Sequence, residues 1–146
     1  MKRIIKIGID TRLNKGDLLN ILLDPEVALL VVYDVKSLDK IEDNEYMLNK
    51  KYIVQRVVYP NFVIEYITRK KEKEKRIIDM LRYDISLCSF SLCFLQIEFT
   101  TSRLFPTTAS LENEIKYHFN LVLKVLYDYK EVDERRRVIR WLRSYE

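Results

Sequence analysis

The chain has 146 residues, a length for one domain, and its 48% hydrophobic and 33% charged residues are those of a folded, soluble protein. With 2 Gly, 1 His and 2 Cys it excludes a Gly-rich phosphate-cradling loop, a zinc finger and a His-rich metal site. The net charge of +4 fits nucleic acid, an anionic membrane surface or an acidic ligand, and selects none of them. The start, MKRIIKIGID, has neither the apolar run nor the small-residue cleavage site of a signal peptide. The longest uncharged run, Ile85 to Ile97, is too short for a membrane span, so the expectation is a cytoplasmic, soluble protein.

In chain order, Ile5, Ile7 and Ile9 alternate along Arg3–Asp10 and predict a strand with one apolar face. Leu18, Leu19, Leu22 and Leu23 then form a helical stripe over Asn14–Leu23. At Asp24-Pro25-Glu26 a carboxylate suited to an N-cap precedes a proline suited to the first helical position, so a second short helix is predicted over Pro25–Val31. Strands begin near Val35, with a turn at Asp43-Asn44. Tyr46, Leu48, Lys50, Tyr52, Val54, Arg56 and Val58 share one parity, Tyr59-Pro60-Asn61 breaks it, and Phe62, Ile64 and Tyr66 line the next strand. Lys70–Lys75 reads as a solvated hairpin tip.

Ile77–Asp84 and Leu87–Thr100 read as further strands, with a bulge near Phe94 reconciling the parity of Phe90, Leu92 and Phe94 with that of Leu95, Ile97 and Phe99. On one continuous strand Cys88 and Cys93 lie about 16 Å apart and point to opposite faces, which predicts free thiols. Beyond Pro106, Ser110 is the expected N-cap of a long amphipathic helix carrying Leu111, Ile115, Phe119, Val122, Leu126 and Tyr129 on one face.

That order, a strand, two short helices, about six strands and one long helix, resembles the α+β helix-grip fold of the START and birch-pollen-allergen-like superfamily. The stretch LLNILLDPEVALLVVYDVKSLDKIEDNEYML, Leu18 to Leu48, carries the resemblance most clearly. More narrowly, the chain is similar to a thermoacidophile-restricted, archaeal family of helix-grip proteins regarded as fatty-acid carriers, and the Ile- and Lys-rich composition suits a thermophile. The resemblance implies a curved sheet of about six or seven strands wrapping the C-terminal helix around a hydrophobic cavity. It implies a non-enzymatic carrier of a long-chain fatty acid or other lipid, with no cofactor and no metal, acting as a monomer or homodimer.

If the gap between sheet and helix is open, Tyr52, Phe62, Tyr66 and Phe94 are the residues expected to face Phe119, Val122 and Leu126 across it. Each buried methylene of an acyl chain there contributes about 0.8 kcal/mol. The acid group of such a ligand needs a cation or hydroxyl, since an unpartnered buried carboxylate is costly. Lys50 and Arg56 are the charged members of a mostly apolar row, and Arg56 with Tyr52 is the preferred head-group pair. His118, beside Phe119, is the obvious candidate base and the candidate polar contact at a cavity mouth. Two other readings compete. Arg135, Arg136, Arg137, Arg140 and Arg143 near Trp141 and Tyr145 form a basic helix end that can follow phosphates of a nucleic acid. Val138, Ile139, Trp141 and Leu142 offer a protein-docking end instead.

Overall fold

The computed structural model describes residues 2–89 and 92–128, with the side chains of 73–75 and 125–128 outside the description. Its elements are β1 (Arg3–Thr11), α1 (Lys15–Leu23), α2 (Pro25–Leu30), β2 (Leu38–Glu42), β3 (Glu45–Leu48), β4 (Tyr52–Tyr59), β5 (Val63–Lys70), β6 (Lys73–Cys88), β7 (Cys93–Thr101) and α3 (Thr108–Asp128). The strands form one 7-stranded antiparallel sheet in the order β1-β7-β6-β5-β4-β3-β2. No helix among the described residues is long and apolar enough to cross a membrane.

Local chemistry accounts for the short helices. Asn14 caps α1 by accepting from the Asp17 amide at 2.8 Å, and Asp24 caps α2 by accepting from the Glu26 amide at 3.1 Å, with Pro25 in the first turn. Neither helix is long enough to hold itself together, so tertiary contacts must do so. The carbonyls they leave without a helical partner are met by side chains from elsewhere in the chain. Arg56 on β4 donates to Leu23 O, Tyr66 on β5 to Leu22 O, and Tyr83 on β6 to Ala28 O at 2.6 Å. Arg103 donates to Val32 O at 3.3 Å, and His118 Nδ1 lies 3.2 Å from Val31 O. The two helices are thus held to the sheet and to α3 by the backbone groups that folding would otherwise strand.

The core lies between these helices and one face of the sheet. Ile5 and Ile7 of β1, Ile64 and Tyr66 of β5, Leu81 and Tyr83 of β6, and Leu95, Ile97 and Phe99 of β7 point inward, and Leu111, Ile115, Phe119 and Val122 of α3 are buried with them. The 21 residues of α3 extend about 31 Å, and the helix packs on β1. It begins earlier than the sequence predicts: Thr107, not Ser110, is the cap, accepting from the Ser110 amide at 3.2 Å. The threonine hydroxyl sits three residues ahead of an amide that would otherwise be orphaned.

Three strand-level expectations are corrected. The long row from Tyr46 to Val58 is two strands, because Asn49 (φ 52°) and Lys50 (φ 59°) take the left-handed conformations of a tight hairpin turn closed by Lys51 N to Leu48 O at 3.1 Å. Lys50 therefore lies in a turn rather than in a cavity-facing row. Phe62 also has a left-handed backbone (φ 63°), in the turn before β5, and is 40% exposed with the Lys15 ammonium 3.5 Å above its ring. Finally, the uncharged run from Ile85 to Ile97 is a hairpin and not one strand. The chain reverses after Cys88, with Ser89 N donating to Leu92 O at 2.8 Å. The register shift falls in β6 between Asp84 and Leu87, not at Phe94.

That reversal brings Cys88 opposite Cys93, and the two form a disulfide with Cα atoms 4.1 Å apart, where free thiols are the sequence expectation. The loop it closes is short, so reducing it is expected to lower the unfolding free energy by only about 2 kcal/mol. Urea unfolding with and without reductant checks this, and an unchanged midpoint would exclude a stabilising role. On the outer face, the Phe94 ring lies over Gly8, where a Cβ would come within 2.7 Å of it. Gly8→Ala is expected to cost about 1 kcal/mol, the low end for overpacking because a partly buried ring on the outer face can shift; thermal unfolding would show it, and an unshifted midpoint would mean that the ring moves freely.

Candidate functional site

On the core-facing side of the sheet, residues paired across the strands form rows. Two of these, Ile5–Phe99–Leu81–Tyr66 and Ile7–Ile97–Tyr83–Ile64, are apolar or aromatic. The next row toward the start of β1 is different: Arg3, Thr101, Asp79 and Thr68. Tyr33, in the turn after α2 where its amide bonds Leu29 O at 2.8 Å, reaches down onto that polar row. The result is a hydrogen-bonded cluster at one end of an otherwise apolar face.

Asp79 is its centre. The side chain is 4% exposed, and a buried carboxylate must be compensated. Tyr33 donates to Oδ2 at 2.6 Å and Thr101 donates to Oδ1 at 2.7 Å. The Arg103 guanidinium stands 3.9 Å from Oδ2. Around these contacts the network closes on itself. Thr68 Oγ1 lies 3.0 Å from the Tyr33 hydroxyl, and Thr101 Oγ1 accepts from the Arg103 amide at 3.1 Å. Arg103 also lies 5.3 Å from the Tyr33 ring centre and 5.5 Å from that of Phe99, within cation–π range. Burial first, and then the Asp79 carboxylate, push the Tyr33 phenol well above its usual pKa, so Tyr33 is a fixed donor throughout the physiological range.

Above this cluster opens a cavity of about 330 Å³, lined by Tyr33, Tyr52, Lys70, Arg76, Ile78, Asp79, Ser102 and Arg103. Its volume is at the lower end of that of small-molecule sites. Three cations face a single carboxylate across it, and that carboxylate is already engaged by Tyr33, Thr101 and Arg103. Lys70 and Arg76 make no ion pair among the described residues, and the described lining carries three cations to one carboxylate. Chemically it suits a ligand with an anionic group and an aromatic or aliphatic part that can lie along Tyr52 and Ile78.

Of the residues expected from the sequence to contact a ligand, Tyr52 borders this cavity. Arg56 does not. Four residues along the strand, it stands roughly 13 Å from Tyr52, and its guanidinium is committed to Leu23 O and to Asn44 Oδ1 at 2.9 Å. Tyr66 faces the end of α1 rather than α3, and burial pushes its phenol pKa far up. Tyr83 behaves in the same way beneath α2. Phe119 and Val122 are buried on the inner face of α3, and His118 is buried against Val31 O. Phe62 and Phe94 do not face the helix: the first is in an exposed turn, and the second occupies the opposite parity from the inward-facing Cys93 and Leu95. The Leu126 side chain and the Arg- and Trp-bearing segment from Arg135 to Tyr145 lie outside the described residues.

Sequence reasoning missed Tyr33, Thr68, Asp79, Thr101 and Arg103. A signal was present. Asp79 and Leu81 share the parity of the inward-facing positions of β6, and Thr101 follows Leu95, Ile97 and Phe99 on that of β7. Polar residues that continue a buried apolar row are the mark of an internal network.

No protein-family model matches the chain, and no curated protein matches it. Solved structures do. The Zhui aromatase/cyclase of a Streptomyces species has a TM-score of 0.53 at 10% identity, covering 95% of this chain and 88% of its own. Ara h 8.0201 has a TM-score of 0.52 at 7% identity, with 100% of both chains covered. The norcoclaurine synthase of Thalictrum flavum, in complex with dopamine and hydroxybenzaldehyde, has a TM-score of 0.51 at 10% identity and covers 90% of each chain. The fold is therefore the helix-grip fold, α+β, with a seven-stranded antiparallel sheet and a C-terminal helix. The same neighbours correct the expectation of a non-enzymatic protein: an aromatase/cyclase and a synthase share this fold, so the fold gives no ground for excluding catalysis.

Proposed function

We propose that this protein binds a small amphipathic ligand bearing an anionic group, with that group held by Lys70, Arg76 and Arg103 and the apolar part lying along Tyr52 and Ile78. The observation that supports it is the cationic cavity of about 330 Å³ at the polar end of an apolar sheet face. Long-chain fatty acid is the first ligand to try, because the sequence resembles the thermoacidophile fatty-acid carriers and because a carboxylate matches the guanidinium and ammonium groups of the rim. Binding such a ligand is the step that a carrier and an enzyme of this fold share. In this reading Tyr33 and Asp79 orient Arg103, and Tyr52 is the one residue singled out from sequence that touches the ligand.

Calorimetric titration with fatty acids of graded length tests the reading. One molecule is expected to bind per chain, with affinity rising with chain length as more methylenes leave water. Lys70→Ala and Arg76→Ala are each expected to weaken binding by about five- to thirtyfold, equivalent to about 1–2 kcal/mol for an exposed charge-assisted contact. Equal affinity for a fatty acid and its methyl ester would remove the anionic group from the proposal. No binding at any length would remove the fatty acid.

A further inference from the structure

The strand order gathers charge at the two ends of the sheet. At the end where β1 starts and β7 stops lie Lys36, Lys50, Lys51, Lys70, Lys71 and Arg76, all exposed, against exposed Asp34, Asp39 and Glu72. At the opposite end Glu42, Asp43, Glu45 and Asp17 stand beside Arg12, Lys15 and Lys40, the last paired with Asp43 at 3.1 Å, so charges of both signs mix there. Among the described residues, the first end therefore carries six exposed cations against three exposed carboxylates and is the basic one.

From that same basic end two large apolar side chains project. Leu104 is 71% exposed and Phe105 is 82% exposed, in the connection between β7 and α3. The loop is anchored from below, since Arg3 donates through Nε to Arg103 O at 2.9 Å and through a terminal nitrogen to Pro106 O at 2.6 Å. Those bonds bracket Leu104 and Phe105, leaving the fold to hold two apolar residues out in water at some cost. They also directly follow Ser102 and Arg103, which line the cavity.

We infer that the basic end is a docking surface for an anionic lipid bilayer, with Leu104 and Phe105 inserted among the acyl chains and the surrounding lysines against the headgroups. Basic residues near an anionic leaflet and an apolar tip reaching past the headgroups reinforce each other, since each alone binds weakly. The paired Leu and Phe favour a bilayer over nucleic acid, whose phosphates would engage the lysines but leave Leu104 in water. Docking in this orientation sets the cavity mouth against the membrane. The inference stands on the surface and is independent of which ligand the cavity takes.

Flotation of the full chain with phosphatidylcholine vesicles, with and without an equal part of phosphatidylglycerol, tests it. Binding is expected only to the anionic vesicles and is expected to fall as salt is raised. Leu104→Asp with Phe105→Asp is expected to abolish it, and Lys51→Glu with Lys71→Glu to weaken it at least about tenfold. All four positions are exposed, so the variants keep the fold; circular dichroism checks this, and calorimetric titration of soluble ligand without vesicles reads the cavity separately. Failure to float with anionic vesicles, or flotation unchanged by L104D/F105D, overturns the inference. So does tight binding to a single-stranded oligonucleotide that K51E/K71E weakens and L104D/F105D leaves intact, which would assign the basic end to nucleic acid.

Discussion

The double variant Y66F/Y83F is expected to lose about 2–6 kcal/mol of folding free energy, since each substitution leaves a buried carbonyl without its donor at about 1–3 kcal/mol. The two phenols hold Leu22 O and Ala28 O, and no helical hydrogen bond can replace them because both helices have ended or turned by then. Phenylalanine keeps the ring, so the edge-to-face contact between the two rings, 6.4 Å between centroids, survives and the loss reports the hydroxyls. Urea unfolding of the single and double variants gives the coupling between them directly. Hydrogen exchange should localise the weakness to α1 and α2, with β6 and β7 retaining their protection. A combined loss below about 0.5 kcal/mol, the scatter of ordinary surface substitutions, would mean that these carbonyls find other partners.

The same grip shows which parts of this fold are legible in a sequence. Asp24-Pro25 states a helix boundary with local chemistry, and the structure has its second helix starting there. Alternation in β1 and the three- and four-residue spacing in α3 are also local, and both elements follow. What resists is pairing between distant segments. Arg56 stands out as a charged residue in an apolar row, yet its partner, Leu23 O, lies 33 residues away and is a backbone atom that no side-chain pattern announces. Cys88 and Cys93 read as an unpaired couple because a strand and a tight hairpin have nearly the same composition when the turn lacks Gly, Pro or Asn. The cavity is the least legible feature. It is assembled from the end of β5, the beginnings of β4 and β6, the segment after β7 and the turn after α2, so no contiguous stretch carries its signature.

Removing two donors from Asp79 is expected to cost the fold as much as loosening the two short helices does. In Y33F/T101V the carboxylate keeps, of its partners among the described residues, the Arg103 guanidinium at 3.9 Å, and breaking the compensation of a buried charge costs about 3–5 kcal/mol. Adding D79L should restore much of that, because an apolar row of similar volume no longer asks for partners. The triple variant Y33F/D79L/T101V therefore separates two roles that the wild-type cluster combines. If the polar row exists to orient Arg103 toward a ligand, the triple variant regains stability yet binds the anionic ligand at least about tenfold more weakly, a loss of about 1.4 kcal/mol. If it regains both, the cluster is an internal support with no part in recognition. Stability unchanged in Y33F/T101V would mean that Asp79 has access to solvent its burial does not indicate. Denaturant unfolding and ligand titration on the same set of proteins decide among these outcomes, and the comparison is internal because every variant preserves the aromatic ring of residue 33 and the β-branched side chain of residue 101.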